Sequence, residues 1–255
     1  LGLVGYEMFI IERPIKLAQG LAWALGHIED DGTQGGQRRR GPDPRVTLRE
    51  WMTNGARTRL GRMVVNGEIT TFEQAVASRL PIREPEIIDA FFQPNLFVEM
   101  IGRPRRIQRM TDSGRRVRFN VMACVGNKDG YVGLAMAKGK EVAQAIQKAL
   151  TAAKLNIIQI QRGNGSWESS VGPGTSVPFK VQGQAGSTRV TLMPAAKGKG
   201  LVIGETGKKV LELAGVTDVL SRTKGQTRTT INYAAATFNA LKTLNSTRIS
   251  NEQRQ

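Results

Sequence analysis

A chain of 255 residues with 40% hydrophobic residues can bury one large core or two small ones, and with 5% aromatic residues that core is mainly aliphatic. A formal net charge of +16 and a pI near 10.6 point to a polyanionic partner. One cysteine, Cys124, excludes an internal disulfide framework; one histidine, His27, leaves no Cys/His set for zinc; and no apolar run approaches the roughly 20 residues of a membrane-spanning helix.

The charge is unevenly placed. Residues 1–99 carry 12 basic against 13 acidic side chains, residues 100–162 carry 13 against 3, and residues 163–255 carry 12 against 5. A polyanion is therefore expected on the C-terminal two thirds. Residues 1–45 give no domain assignment: Leu1 to Ile11 and Leu17 to Ile28 are apolar but short, and they run into Glu29-Asp30-Asp31 and a loop-like stretch from Gly32 to Pro44.

Residues 46–99 are expected to form an N-terminal helical arm. Thr70 and Glu73 stand at capping-box spacing for a helix running through about Ser78. Leu80-Pro81-Ile82 ends it, and Glu84-Pro85-Glu86 starts a further short helix through Ile87, Ile88 and Phe91.

Residues 100–162 read as a small α+β domain. Asp112-Ser113-Gly114 turns a hairpin whose second strand places Val117, Phe119, Val121, Ala123 and Val125 on a core face and Arg116, Arg118, Asn120, Met122 and Cys124 on the other. Asn127-Lys128-Asp129-Gly130 turns into a strand from Tyr131 to Ala137. A helix from about Glu141 to Ala153 follows, with Val142, Ile146, Ala149, Leu150 and Ala153 as its apolar stripe. Lys148 and Lys154 of that helix are expected to face solvent, and Ile157 to Gln161 reads as a further strand running to Arg162. Three to four strands packed on a helix then present two cationic clusters, Arg109/Arg115/Arg116/Arg118 at the hairpin tip and Lys138/Lys140 beside the helix N-terminus, suited to gripping double-stranded RNA by its phosphates.

Residues 163–255 read as a second α+β domain behind a Gly/Ser-rich connector from Gly163 to Pro173. Val177, Phe179 and Val181 alternate as one strand, Gly183 to Ser187 turns into a second from Arg189 to Met193, and Leu201-Val202-Ile203 and Val216 to Leu220 supply two more. Helices are expected from Lys208 to Ala214, stopped by Gly215, and around Ile231, Ala235, Phe238 and Leu241. Lys197 and Lys199 in one loop, Arg222 and Lys224 in a basic loop from Ser221 to Arg228, and Arg162 complete the expected RNA-binding set. Gly198 to Gly204 misses the dinucleotide fingerprint by one residue, and Gly204-Glu205-Thr206-Gly207-Lys208-Lys209 has Val202 where a phosphate-binding loop needs glycine and Lys209 where it needs Ser or Thr. No paired carboxylates or Ser/His/Asp set suggest catalysis, and Cys124 has no histidine downstream of His27 to activate it, so neither an enzyme nor a cofactor is expected.

"RMTDSGRRVRFNVMACVGNKDGYVGLAMAKGKEVAQAIQKALTAAK" and "LELAGVTDVLSRTKGQT" resemble the universal small-subunit ribosomal protein S-five family, and "EWMTNGARTRLGRMVVNGEI" with "LPIREPEIIDAFF" resembles the extension of its archaeal and eukaryotic members, favouring an archaeal type. The resemblance spans about residues 50–247 and departs locally at Asn54-Gly55-Ala56, where members often carry proline. It implies a double-stranded-RNA-binding-like domain followed by an α+β domain of four strands and two helices. It also implies a cytoplasmic place in the small ribosomal subunit, binding rRNA near the side where mRNA enters and supporting accuracy and mRNA unwinding beside proteins of the S-four and S-three families. By the same resemblance Arg109 to Arg118 is the hairpin that reaches the rRNA head and neck, and Lys197 to Glu205 lies at an inter-protein contact tied to decoding fidelity. The rival readings are a free-standing double-stranded-RNA-binding regulator, which needs no second domain, and a nucleotide-dependent enzyme.

Overall fold

The structure, a computed structural model, describes residues 51–53, 55–163 and 174–246. The expectations for residues 1–45 and for nearly all of the 163–173 connector lie outside the described residues. The chain divides between Leu80 and Pro81 into two units.

In the first unit, helix α1 (Arg59–Val65) is capped by Thr58, whose hydroxyl accepts from the Gly61 amide at 3.1 Å. Helix α2 (Phe72–Ala77) carries a true capping box, one residue later than its spacing predicted. Gln74 N donates to Thr71 Oγ1 and Thr71 N to Gln74 Oε1, each at 3.4 Å. The register follows from burial. Phe72 and Ala75 face inward with Leu60 and Ile69, which leaves Glu73 exposed at the second helical position.

The second unit opens with helix α3 (Pro85–Phe92), proline at its start, and with Ile87 and Ile88 fully buried. Phe97–Met100, whose first three residues fall at the expected end of the arm, forms strand β1 instead. With β2 (Arg105–Thr111), β3 (Gly114–Gly126), β4 (Tyr131–Gly139) and β5 (Ile157–Gln159) it makes an antiparallel five-stranded sheet. β3 is long enough to hold β1 and β2 in succession along one edge and β4 along the other. Helix α4 (Val142–Leu155) covers one sheet face through Ala145 and Ala149 against Val121 and Ala123.

The alternation of β3 reads differently along its length. In the inner half both faces are buried, Val121 and Ala123 under α4 and Met122 and Cys124 in a larger core shared with the second domain. Val117 is 39% exposed and Phe119 half-buried, because the strand runs past the end of its helix. The expected core positions Val117 and Phe119 are thereby corrected. Lys154 is corrected too: its Nζ sits 2.7 Å from the carboxylate of Asp89 on α3, and its side chain is 17% exposed.

The second domain pairs β6 (Val181–Ala185), β7 (Thr188–Pro194), β8 (Leu201–Val202) and β9 (Val219–Lys224) in the order β6-β7-β9-β8, with only the β8–β9 pair parallel. Helices α5 (Glu205–Leu213) and α6 (Thr230–Ser246) complete it. The first strand starts at Val181 and not at Val177, since Pro178 has no amide to give a ladder. Gly183 lies inside that strand, where a Cβ would stand 2.2 Å from Ala236 O and Ala240 N of α6. The turn is Gly186-Ser187. Arg222 and Lys224 belong to β9, so the expected basic loop begins only at Gly225, φ +84°.

The two sheets share one core, in which Met122, Cys124, Val132 and Leu134 meet Val210, Leu211, Leu213 and Leu241. The β3–β4 turn seats on the C-terminal end of α5: Lys128 N donates to Leu213 O and Gly130 N to Ala214 O, each at 3.0 Å. Carbonyls that a helix end leaves unpaired are satisfied across the joint. Gly215, φ +76°, is required there, because a Cβ would stand 2.2 Å from Lys128 O.

Candidate nucleic-acid interface

Directly opposed residues of an antiparallel pair share a sheet face, as do residues two apart on one strand. The register opposes Arg109 to Arg116, Ile107 to Arg118, and both Arg105 and Lys138 to Asn120. Arg105, Arg109, Arg116, Arg118 and Lys138 therefore occupy one face of three adjacent strands, and all five are exposed. Strands lie about 4.8 Å apart and same-face residues about 6.7 Å apart along each, so the five cations form a compact rail. No Asp or Glu lies in β2, β3 or β4. Among the described residues, none of the five makes an ion pair.

Arg115 is separated from Arg116. It lies on the opposite face, beside Met110, which is 69% exposed. The turn between them is two residues, Asp112-Ser113, closed by Gly114 at φ +110° and by the Thr111 hydroxyl donating to Gly114 O at 2.8 Å. Arg105 escaped the sequence reading, although carrying the alternation back from Arg109 through Ile107 reaches it. Its Nη2 donates to Thr230 Oγ1 at the start of α6, 2.9 Å away, tying the base of the hairpin to the second domain.

Lys140 is exposed immediately before Glu141, the N-cap of α4, whose side chain makes no cap hydrogen bond. Arg162 is engaged within the chain. Its guanidinium pairs with Asp129 and reaches Gly215 O at 3.4 Å, so it fastens the β3–β4 turn to the second domain instead of standing free.

Lys197 and Lys199 project from the loop between β7 and β8, in which Gly198 and Gly200 take φ +87° and +74°. Asp218, 4% exposed, anchors this loop by accepting from Gly200 N at 2.8 Å and from the Thr217 hydroxyl at 3.2 Å. Burial pushes its carboxyl up, but hydrogen bonds from the Gly200 and Gly198 amides and the Thr217 and Thr175 side chains outweigh that and hold it below its ordinary value. Arg222 and Lys224 are exposed on the second sheet, apart from the hairpin strands.

Such an arrangement can bind a polyanion by charge and shape. Among the described residues no cluster of three or more His, Cys, Asp or Glu could hold a metal, and no helix is long and apolar enough to cross a membrane. Two family models match, ribosomal protein S5, N-terminal domain, over residues 101–161 and ribosomal protein S5, C-terminal domain, over residues 183–254. The chain is 54% identical over 192 residues to the small ribosomal subunit protein uS5 of Methanospirillum hungatei, covering 75% of this chain and 93% of that one. It is 52% identical over 192 residues to that of Methanothrix thermoacetophila (75% and 92%) and 48% identical over 200 residues to that of Thermoplasma acidophilum (78% and 88%).

Proposed function

The chain belongs to the ribosomal protein S5 family, in its archaeal type, and from that premise we propose that it is a structural component of the small ribosomal subunit, in the cytoplasm, bound to small-subunit rRNA near the side where mRNA enters. In this reading it supports the accuracy of translation and the unwinding of incoming mRNA. The observation that carries it is the five-cation face of β2, β3 and β4. Each of those side chains meets a phosphate oxygen and displaces condensed counterions, which makes binding strong at low salt and indifferent to base sequence. Lys140 and the exposed amides at the start of α4 extend the same grip. The stretch from Lys197 to Glu205, whose loop before β8 is pinned by Asp218, is the contact with a neighbouring protein of the S-four family, while S-three lies with it along the mRNA path. Accuracy then depends on a loop held in one conformation by a buried carboxylate.

The test is to replace Arg109 and Arg116 by Ala and follow the chain into subunits. Since both side chains stand clear of the core, the variant should keep its helix and strand content. Its rRNA affinity should lose about 2 units of salt slope, near 0.9 per lost phosphate contact. Subunits containing it should misread more and translate structured messages more slowly. A chain that sediments apart from small subunits, or variant subunits with unchanged speed and accuracy, would defeat the reading.

A further inference from the structure

The second sheet has one covered and one open face. Val181, Gly183, Thr188, Val190 and Leu192 are buried toward α6, so the alternation sends Gln182, Gln184, Arg189, Arg222 and Lys224 outward, and all five are exposed. The register lines them up in two rows across β6, β7 and β9: Gln184, Arg189 and Lys224, then Gln182, Thr191 and Arg222.

Arg189 and Lys224 are directly opposed. Like charges in that position repel and destabilise a sheet. Among the described residues neither makes an ion pair, and β6, β7 and β9 contain no Asp or Glu. The hairpin carries the same uncompensated device in Arg109 opposite Arg116. A fold that places a repelling pair on each of two exposed sheet faces is relieved when a polyanion covers both.

The neighbouring side chains narrow the occupant. Two amides and a hydroxyl beside three cations can donate to phosphate oxygens and exchange hydrogen bonds with ribose hydroxyls. These strands hold no aromatic residue on which unpaired bases could stack. We propose that the open face of β6, β7 and β9, centred on Arg189, is a second RNA surface that grips the backbone of duplex rRNA independently of the hairpin. This rests on the reading of the chain as an rRNA-binding subunit protein.

The test uses the full chain and small-subunit rRNA transcribed in vitro, with binding measured across a salt series. R189Q/K224Q should lose about 2 units of salt slope, R109Q/R116Q a similar amount, and the fourfold variant the sum. The thermal midpoint of R189Q/K224Q should match or exceed that of the parent, since a repulsion has been removed. R189K, which keeps the charge, should bind nearly as the parent does. Unchanged slope for R189Q/K224Q while R109Q/R116Q loses its share overturns the second surface and leaves the proposed function standing. Equal loss for R189K and R189Q, or a lowered midpoint, overturns the electrostatic argument. Impaired subunit incorporation with intact rRNA binding assigns the face to an acidic protein neighbour and overturns it as well. Salt-independent binding by the parent itself would remove the rRNA reading and this surface together.

Discussion

Replacing Asp218 by Asn tests how the loop bearing Lys197 and Lys199 is held. The side chain keeps its shape and loses its charge. The wild-type carboxylate accepts hydrogen bonds from the Gly200 amide and the Thr217 hydroxyl. A hydrogen bond to a charged group contributes about 1 kcal/mol more than a neutral one, so removing the charge beneath these two puts the expected loss at about 2 kcal/mol. For a chain of this size that is a drop of roughly 4 to 8 °C in thermal midpoint. The pH dependence has a definite sign. The folded carboxyl lies below its ordinary 3.8, so its contribution is fully present above that value and disappears as pH falls through the lower, folded one. Thermal or urea unfolding of both proteins between pH 7 and pH 3 should show a constant gap down to about pH 5 that closes in stronger acid. A gap that is absent at pH 7, or one that survives undiminished at pH 3, would refute the anchoring role.

Two further outcomes are expected from buried groups. Cys124, fully buried and with its thiol pushed up to about 12 by burial and by the charge of Glu99, should resist a thiol reagent at pH 8 in the native chain and react at once after unfolding in urea. Replacing Lys154 by Met leaves Asp89, with its side chain 9% exposed, unpaired beneath α4, and should cost about 3 kcal/mol in urea unfolding while Lys148→Met costs close to nothing.

The strands that could be read from the sequence were those whose two faces differ. β3 announced itself through strict alternation, β4 through the turn that precedes it, and α4 through its apolar stripe. What escaped depends on distant chain. β1 is four residues long and has no alternation of its own to show; its pairing with Ala123 to Gly126 makes it a strand. The inner half of β3 is buried on both faces only because the second domain seats on Met122 and Cys124, which a period of two assigns to a solvent side. The same docking, set by residues more than fifty positions away, turns Arg162 from a free cation into a fastening. At the hairpin the composition was informative and the grouping was not. Arg115 and Arg116 adjoin in sequence and part in space, while Arg105, Arg109 and Lys138 join a common face through register alone.

Helix α5 has both its ends committed. Its N-cap, Gly204, closes the stretch that carries Lys197 and Lys199, and its last carbonyls are gripped by the turn joining β3 to β4. Nine helical residues span about 13 Å. The helix is a strut between two working surfaces, stiff along its axis because every turn is hydrogen-bonded, with Val210, Leu211 and Leu213 wedged into the shared core so that it cannot buckle. The distance between the lysine loop and the turn that joins β3 to β4 is therefore set by the length of a helix and not by flexible chain.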